Sequence, residues 1–150
     1  MGWDHKWGPI LVGTDGSAGA ARAVDAAGGL ASELNTDLWI VTVMGATDES
    51  ILSRAAKAER AVIGDTAKAI ANGILDRAVE HAERGRTIRI HTIFRSGDHA
   101  DEIIAAACEL GVAAIFVGRR GAGGRLARAL LGSVSQKLAG ISPIMLVIVP

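Results

Sequence analysis

Residues 117–133 read VGRRGAGGRLARALLGS: the end of an apolar run at Val117, a connection of glycines and arginines, and a helix start at Gly132-Ser133. A strand, a loop and a helix joined in this way build an anion pocket. Gly118, Gly121, Gly123 and Gly124 let backbone N–H groups approach a phosphate or take positive φ, and a helix N-terminus near Ser133 adds unpaired donors and partial positive charge. Arg119, Arg120, Arg125 and Arg128 surround it with mobile cations. The same residues also fit a solvated basic connection, with glycines that only shape turns and a capping box, S-x-x-Q, at Ser133 and Gln136. No G-K-[ST] closes the segment as in a Walker A loop, and it is not a G-x-G-x-x-G at the end of a first strand.

Working outward, the chain alternates short apolar runs with helical patterns. Pro9 to Thr14 reads as a strand, and Ser17 caps a helix whose apolar stripe is Ala20, Ala23, Val24, Ala27, Leu30, Ala31 and Leu34. Asn35 to Asp37 breaks it, and Leu38 to Met44 is a buried strand with β-branched residues. Residues 51–84 suit a long helix with a loosely ordered start, with Ile63, Ala67, Ile70, Ile74 and Ala78 on one face, although Gly64 and Asn72-Gly73 argue against an unbroken one. Thr87 to Phe94 alternates as an edge strand should, with Arg89, His91 and Arg95 on the wetter side and His91 a plain surface residue. Asp98 is the N-cap of a helix with Ile103, Ile104, Ala107 and Cys108 facing inward and Gly111 closing it. Ala113 to Val117, a short helix from Ser133 to about Ala139, and the strand Ile144 to Val149 complete the order.

Strict alternation of strand and helix implies right-handed crossovers and hence a doubly wound α/β domain, a five-stranded parallel sheet of order 3-2-1-4-5 with helices on both faces. In such a sheet a ligand lies beyond the carboxyl ends of the strands where the order reverses, here between the first and fourth strands. Topology therefore brings Gly13-Thr14-Asp15 beside Gly118 to Gly121. The domain spans residues 1–150, with residues 1–8 as an N-terminal extension.

Composition sets limits. The chain has 150 residues, 49% of them hydrophobic, which suits one domain with a substantial core. Only 3% are aromatic, so the core must be made of Ala, Val, Ile and Leu, and a flavin-binding electron carrier lacks its aromatic walls. A formal net charge of zero argues against nucleic acid as the main partner. The single Cys108 excludes an internal disulfide. No apolar leader and no apolar run of spanning length is present, so a cytoplasmic location without membrane insertion is expected.

Taken together, these stretches resemble the universal stress protein family. PILVGTDGSAGAARAVDAA (9–27) is similar to its first strand and helix, SGDHADEIIAAACELGVAAIFVGRRG (96–121) to its third helix and fourth strand, and SVSQKLAGISPIMLVIVP (133–150) to its last helix and strand. The ATP-binding members carry G-x2-G-x9-G-[ST]; Gly118, Gly121, Gly132 and Ser133 match it, but ten residues, 122–131, stand where the pattern has nine. Gly13 stands where some members have proline.

The resemblance implies that Thr14, Asp15 and Val43 hold adenine and ribose, while Val117, Gly118, Arg120, Gly121, Gly132, Ser133, Val134 and Ser135 line ribose and phosphates. It also implies an ATP-binding regulatory homodimer paired through the last strand, 144–149, with Met145, Val147 and Val149 or the alternate set at the axis. Asp15 could order magnesium, or could simply form an Asx turn at the helix start. No catalytic constellation and no metal-ligand spacing stands out. Two other readings of the same fold remain open: a slow ATPase or self-phosphorylating switch using Ser133 or Ser135, and a nucleotide-free dimer acting through protein contacts alone. The regulated client protein and the stress signal are not written in the chain.

Overall fold

Nine elements alternate along the chain: β1 (Ile10–Gly13), α1 (Ala18–Glu33), β2 (Leu38–Met44), α2 (Arg60–Glu83), β3 (Ile90–Ser96), α3 (His99–Leu110), β4 (Ala114–Gly118), α4 (Ser133–Ile141) and β5 (Met145–Val149). The computed structural model describes residues 7–45, 60–121 and 130–150, with side chains in α2 from residue 66 onward. All strands pair in parallel, in the order β3-β2-β1-β4-β5. The alternation of strand and helix anticipated this order.

Successive strand residues feed two cores. Ile10, Val12, Leu38, Ile40, Ala114 and Phe116 pack with α1 and α2, while Leu11, Val41, Ile115 and Val117 pack with α3 and α4. The inner strands are thus covered on both faces, which is why they read as continuous apolar runs.

Small residues decide how the helices sit. The Ser17 hydroxyl accepts from the Ala20 amide at 3.2 Å and starts α1, whose buried stripe is Ala20, Ala23, Val24, Ala27, Gly28 and Ala31. A Cβ on Gly28 would lie 3.3 Å from the Ala82 carbonyl oxygen, so α1 and α2 meet nearly backbone to backbone. Leu30, expected in the stripe, is exposed because this close approach admits only small side chains.

The same selection governs α2, which runs through Gly64 and Gly73 without a break. It buries Ala67, Ala71, Leu75, Ala78 and Ala82 rather than the isoleucines expected inside. Ile70 is 43% exposed and Ile74 half-buried, on a ridge turned away from the core. The expected loose start, 51–59, and the Ile63 side chain lie outside the described residues.

In α3, Asp98 caps the N-terminus by accepting from the Asp101 amide at 3.1 Å, and Gly111 ends the helix in the left-handed region at φ 62°. The buried face is Ala100, Ile103, Ala106 and Ala107; Cys108 is exposed, contrary to expectation, because Ala106 takes the inward place.

His91, expected as plain surface, belongs to a cluster on the β2–β3 edge. Its Nε2 lies 2.8 Å from Asp37 Oδ2, its ring stacks on Trp39 at 4.3 Å, and Arg89 Nε donates to Asp37 Oδ1 at 2.7 Å. The hydrogen bond from His91, then that from Arg89, hold the Asp37 carboxyl below its ordinary 3.8. A carboxyl depressed by folding contributes stability above its unfolded pKa, and that contribution is lost as pH falls through the lower folded value. Asp37→Asn is therefore expected to lower the melting temperature at neutral pH and to show a smaller further drop than the wild type below about pH 4. Equal acid slopes in melting curves of the two proteins would count against this.

Candidate functional site

The order of strands reverses between β1 and β4, and both carboxyl ends there lead into tight turns. After Gly13, the Thr14 amide donates to the Val41 carbonyl at 2.9 Å and its Oγ1 accepts from the Gly16 amide at 3.2 Å. Asp15 Oδ1 accepts from the Ser17 amide at 2.9 Å, so one carboxylate oxygen makes the Asx turn that launches α1. The other borders the glycine loop: a Cβ on Gly121 would lie 2.5 Å from Asp15 Oδ2. The Asp15 carboxylate thus makes the turn and also lines the cavity.

Beyond β4, Gly118 is required by contact rather than by backbone angle. A Cβ there would fall 2.8 Å from Gly19 C and 2.9 Å from its oxygen, and one on Gly19 would fall 2.7 Å from the Arg120 oxygen. Gly118, Gly121 and Gly132 all lack the positive φ that the sequence had offered as one reason for glycine. Gly118 provides backbone-to-backbone approach to the first turn of α1, Gly132 provides it within the loop, to Arg119 and Arg120, and Gly121 lies against the Asp15 carboxylate. Gly123, Gly124, Arg125 and Arg128 lie outside the described residues.

The two ends of the loop close on each other. The Gly132 amide donates to the Arg119 carbonyl at 2.8 Å, and the Ser135 hydroxyl lies 2.8 Å from that same carbonyl and 3.1 Å from the Gly132 carbonyl. The ends are thus tied at 119 and 132, and most of the ten-residue spacing, 122–129, lies outside the described residues.

Ser135 is buried and acts as a strut; Ser133 is exposed as the first residue of α4. The N-cap is Gly132, which makes no side-chain capping bond, so the capping box expected at Ser133 and Gln136 does not form. Its physical reason is position: a capping box needs the serine one residue before the helix, and here the serine is inside it. The α4 N-terminus faces the loop with its positive end uncapped by a side chain, and Leu138, fully buried, fixes the helix to the second core.

These turns enclose a cavity of about 760 Å³. Small-molecule sites span roughly 300–1,000 Å³. The residues that the family resemblance assigned to the nucleotide all line it, namely Thr14, Asp15, Val43, Val117, Gly118, Arg120, Gly121, Gly132, Ser133, Val134 and Ser135, whereas Arg119, expected among the surrounding cations, does not.

The cavity has two chemically distinct ends. One, under β2, is mostly apolar, with Val41, Val43, Met44, Ile70, Ile74 and Ile103 beside Thr42 and His99; the other is the glycine loop with Arg120 and the start of α4. β2 and β4 flank β1, so the two ends lie about 10 Å apart, twice the strand spacing. A Cβ on Gly13 would meet Ile103 Cδ1 at 3.0 Å, so Ile103 fills the wall where some family members have proline.

Sequence reasoning missed Met44, Ile70, Ile74, His99, Leu130 and Leu131 at this cavity. The available signal was the isoleucine ridge of α2, which repeats at i, i+4 beside a complete alanine stripe and so had no core place left to fill. Among the described residues no group of three or more His, Cys, Asp or Glu is placed to hold a metal ion. No described helix is long and apolar enough to cross a membrane.

Comparison with known proteins bears on this geometry. The chain is 37% identical over 146 residues to universal stress protein YxiE of Bacillus subtilis, covering 92% of this chain and 97% of that one. Among solved structures, a universal stress protein in complex with cAMP superposes with a TM-score of 0.69 at 27% identity, covering 95% and 96% of the two chains. The universal stress protein from Archaeoglobus fulgidus in complex with dAMP does so at 0.68 and 20%, covering 96% and 98%, a likeness of fold. A sequence model of the Universal stress protein family matches residues 6–150. With that match running through both strand ends and the glycine loop that build the cavity, the chain belongs to the universal stress protein family.

Proposed function

We propose that this protein is an adenine-nucleotide-binding regulatory protein of the stress response, holding ATP with magnesium as its counter-ion. The observation that carries the reading is the two-ended cavity. The apolar end under β2 suits a base, Thr14 and Asp15 lie midway for the ribose, and the glycine loop with the α4 N-terminus suits phosphates. The relative solved with cAMP, 27% identical to this chain, supports an adenine ligand. Calorimetry with ATP and GTP tests it: ATP is expected to bind at least about tenfold more tightly, a difference of about 1.4 kcal/mol. Equal affinity, or no heat with either nucleotide at millimolar concentration, would contradict the adenine assignment.

Hydrolysis in this reading is slow, because donors that hold ground state and transition state alike do not accelerate chemistry. If the site phosphorylates itself, the acceptor is Ser133, exposed at the start of α4, and not Ser135, whose hydroxyl is buried against two carbonyls. Incubation with γ-labelled ATP reads both; several turnovers per second, or label on Ser135, would overturn them.

A cytoplasmic homodimer through β5 is part of the proposal. β5 is a sheet edge with Met145 exposed, and such edges invite pairing. Leu146 and Ile148 pack against the second core and Val147 and Val149 against the first, so lysine at those positions would test folding rather than association. Met145→Lys is the cleaner probe. Light scattering is expected to show a dimer weakened by that change, and a monomer at high micromolar concentration in the unsubstituted protein would refute the pairing.

A further inference from the structure

Seven large apolar side chains are exposed among the described residues, and three of them, Ile70, Leu130 and Leu131, line the cavity. Leu130 and Leu131 lie at the glycine-loop end, just before the α4 N-cap. Ile70 stands on α2, one helical turn before Ile74, so the two isoleucines share a face and form a short ridge.

The core has no use for that ridge. α2 buries Ala67, Ala71, Leu75, Ala78 and Ala82, and neither Ile70 nor Ile74 belongs to the packing of either core. Ile74 leans instead on the turn after β1: a Cβ on Gly16 would lie 3.4 Å from its Cγ1. That is the turn made by Thr14 and Asp15. α2 packs on the first-core face of the sheet, whereas Ile103 belongs to α3 on the second-core face and comes within 3.0 Å of where a Gly13 Cβ would lie. Two apolar walls, brought by helices on opposite faces of the sheet, therefore flank the space beyond the carboxyl ends of β1 and β2.

We infer that Ile70 and Ile74 are the affinity-determining wall for the base of the bound nucleotide, one flat face of the ring lying on this ridge and the other turned toward Ile103. The inference rests on the nucleotide reading above. Every base has an apolar π-face, with its polar atoms confined to the rim, so a ring held between two apolar walls needs no hydrogen bond from Thr42 or His99 at the same end. Covering Ile70 removes apolar surface from water, which favours binding in proportion to the area covered. It also ties α2 to occupancy of the site by a base rather than by phosphates alone.

The test uses ATP and inorganic tripolyphosphate on the wild type, Ile70→Ala, Ile70→Leu and Leu30→Ala, the last removing an exposed leucine of α1 that lies outside the cavity. Melting curves establish that each variant is folded, which is expected because Ile70 and Leu30 are both exposed. By calorimetry Ile70→Ala is expected to weaken ATP about tenfold and to leave tripolyphosphate unchanged, while Ile70→Leu and Leu30→Ala stay within about twofold of the wild type. In hydrogen exchange on the wild type, peptides covering residues 66–78 are expected to slow with ATP and not with tripolyphosphate. If the wild type binds ATP and Ile70→Ala binds it equally well, or loses ATP and tripolyphosphate alike, or if ATP leaves exchange in 66–78 unchanged, the inference is overturned and the nucleotide reading stands. If the wild type binds no ATP, the nucleotide reading falls and takes this inference with it.

Discussion

Gly118→Val destabilises the protein by about 3 kcal/mol or more, lowering the melting temperature by ~10 °C for a chain of this size. The cause is contact with backbone. A Cβ at 118 would lie 2.8 Å from Gly19 C, 2.9 Å from Gly19 O and 3.1 Å from the Ala20 amide, so no rotamer change can make room. To accommodate it the first turn of α1 must lift from β4, and that turn carries Ala20, Ala23 and Val24 into the first core. Gly118→Ala is expected to move in the same direction by less. Thermal or denaturant unfolding measures both, and a valine variant as stable as the wild type would show that α1 and β4 do not approach as described.

The second large effect is on binding. Gly121→Val is expected to weaken ATP by about a hundredfold or more, some 2.7 kcal/mol, while shifting the melting temperature by only a few degrees. The contrast with Gly118 follows from what each would meet. At 121 the near neighbour is Asp15 Oδ2, the end of a movable side chain, at 2.5 Å. Valine would push that carboxylate aside and place a branched side chain between the loop backbone and any phosphate. A variant that is folded and binds normally would show that the phosphates lie elsewhere. One that is unfolded would show that the loop is part of the core.

The elements and their order were legible because each strand is a short apolar run bounded by turn residues and each crossover carries a helical stripe. Leu38 to Met44 matched residue for residue, and the caps at Ser17, Asp98 and Gly111 stand where their side chains or missing side chain required. Helix rotation was less legible. Periodicity cannot choose between an alanine stripe and an isoleucine stripe one position apart, and in α2 the close packing with α1 chose Ala71 and Leu75 over Ile70 and Ile74.

For the site, the sequence placed the strand-end turns and the glycine loop together because topology alone does so. It could not supply the wall contributed from α2 or the arrival of His99, which depend on how two helices cross the sheet ends. The reason for glycine at 118 was equally hidden, since the residue it accommodates is Gly19, some hundred positions away in the chain.

Hydrogen exchange with and without saturating ATP, read by mass spectrometry, tests the central claim that one cavity holds the base under β2 and the phosphates at the start of α4. ATP-dependent protection is expected in peptides covering residues 13–16, 43–45, 118–121 and 132–135, with the rest of the sheet unchanged. Saturable ATP binding that protects some other surface and leaves these four segments exchanging at their unliganded rates would contradict it.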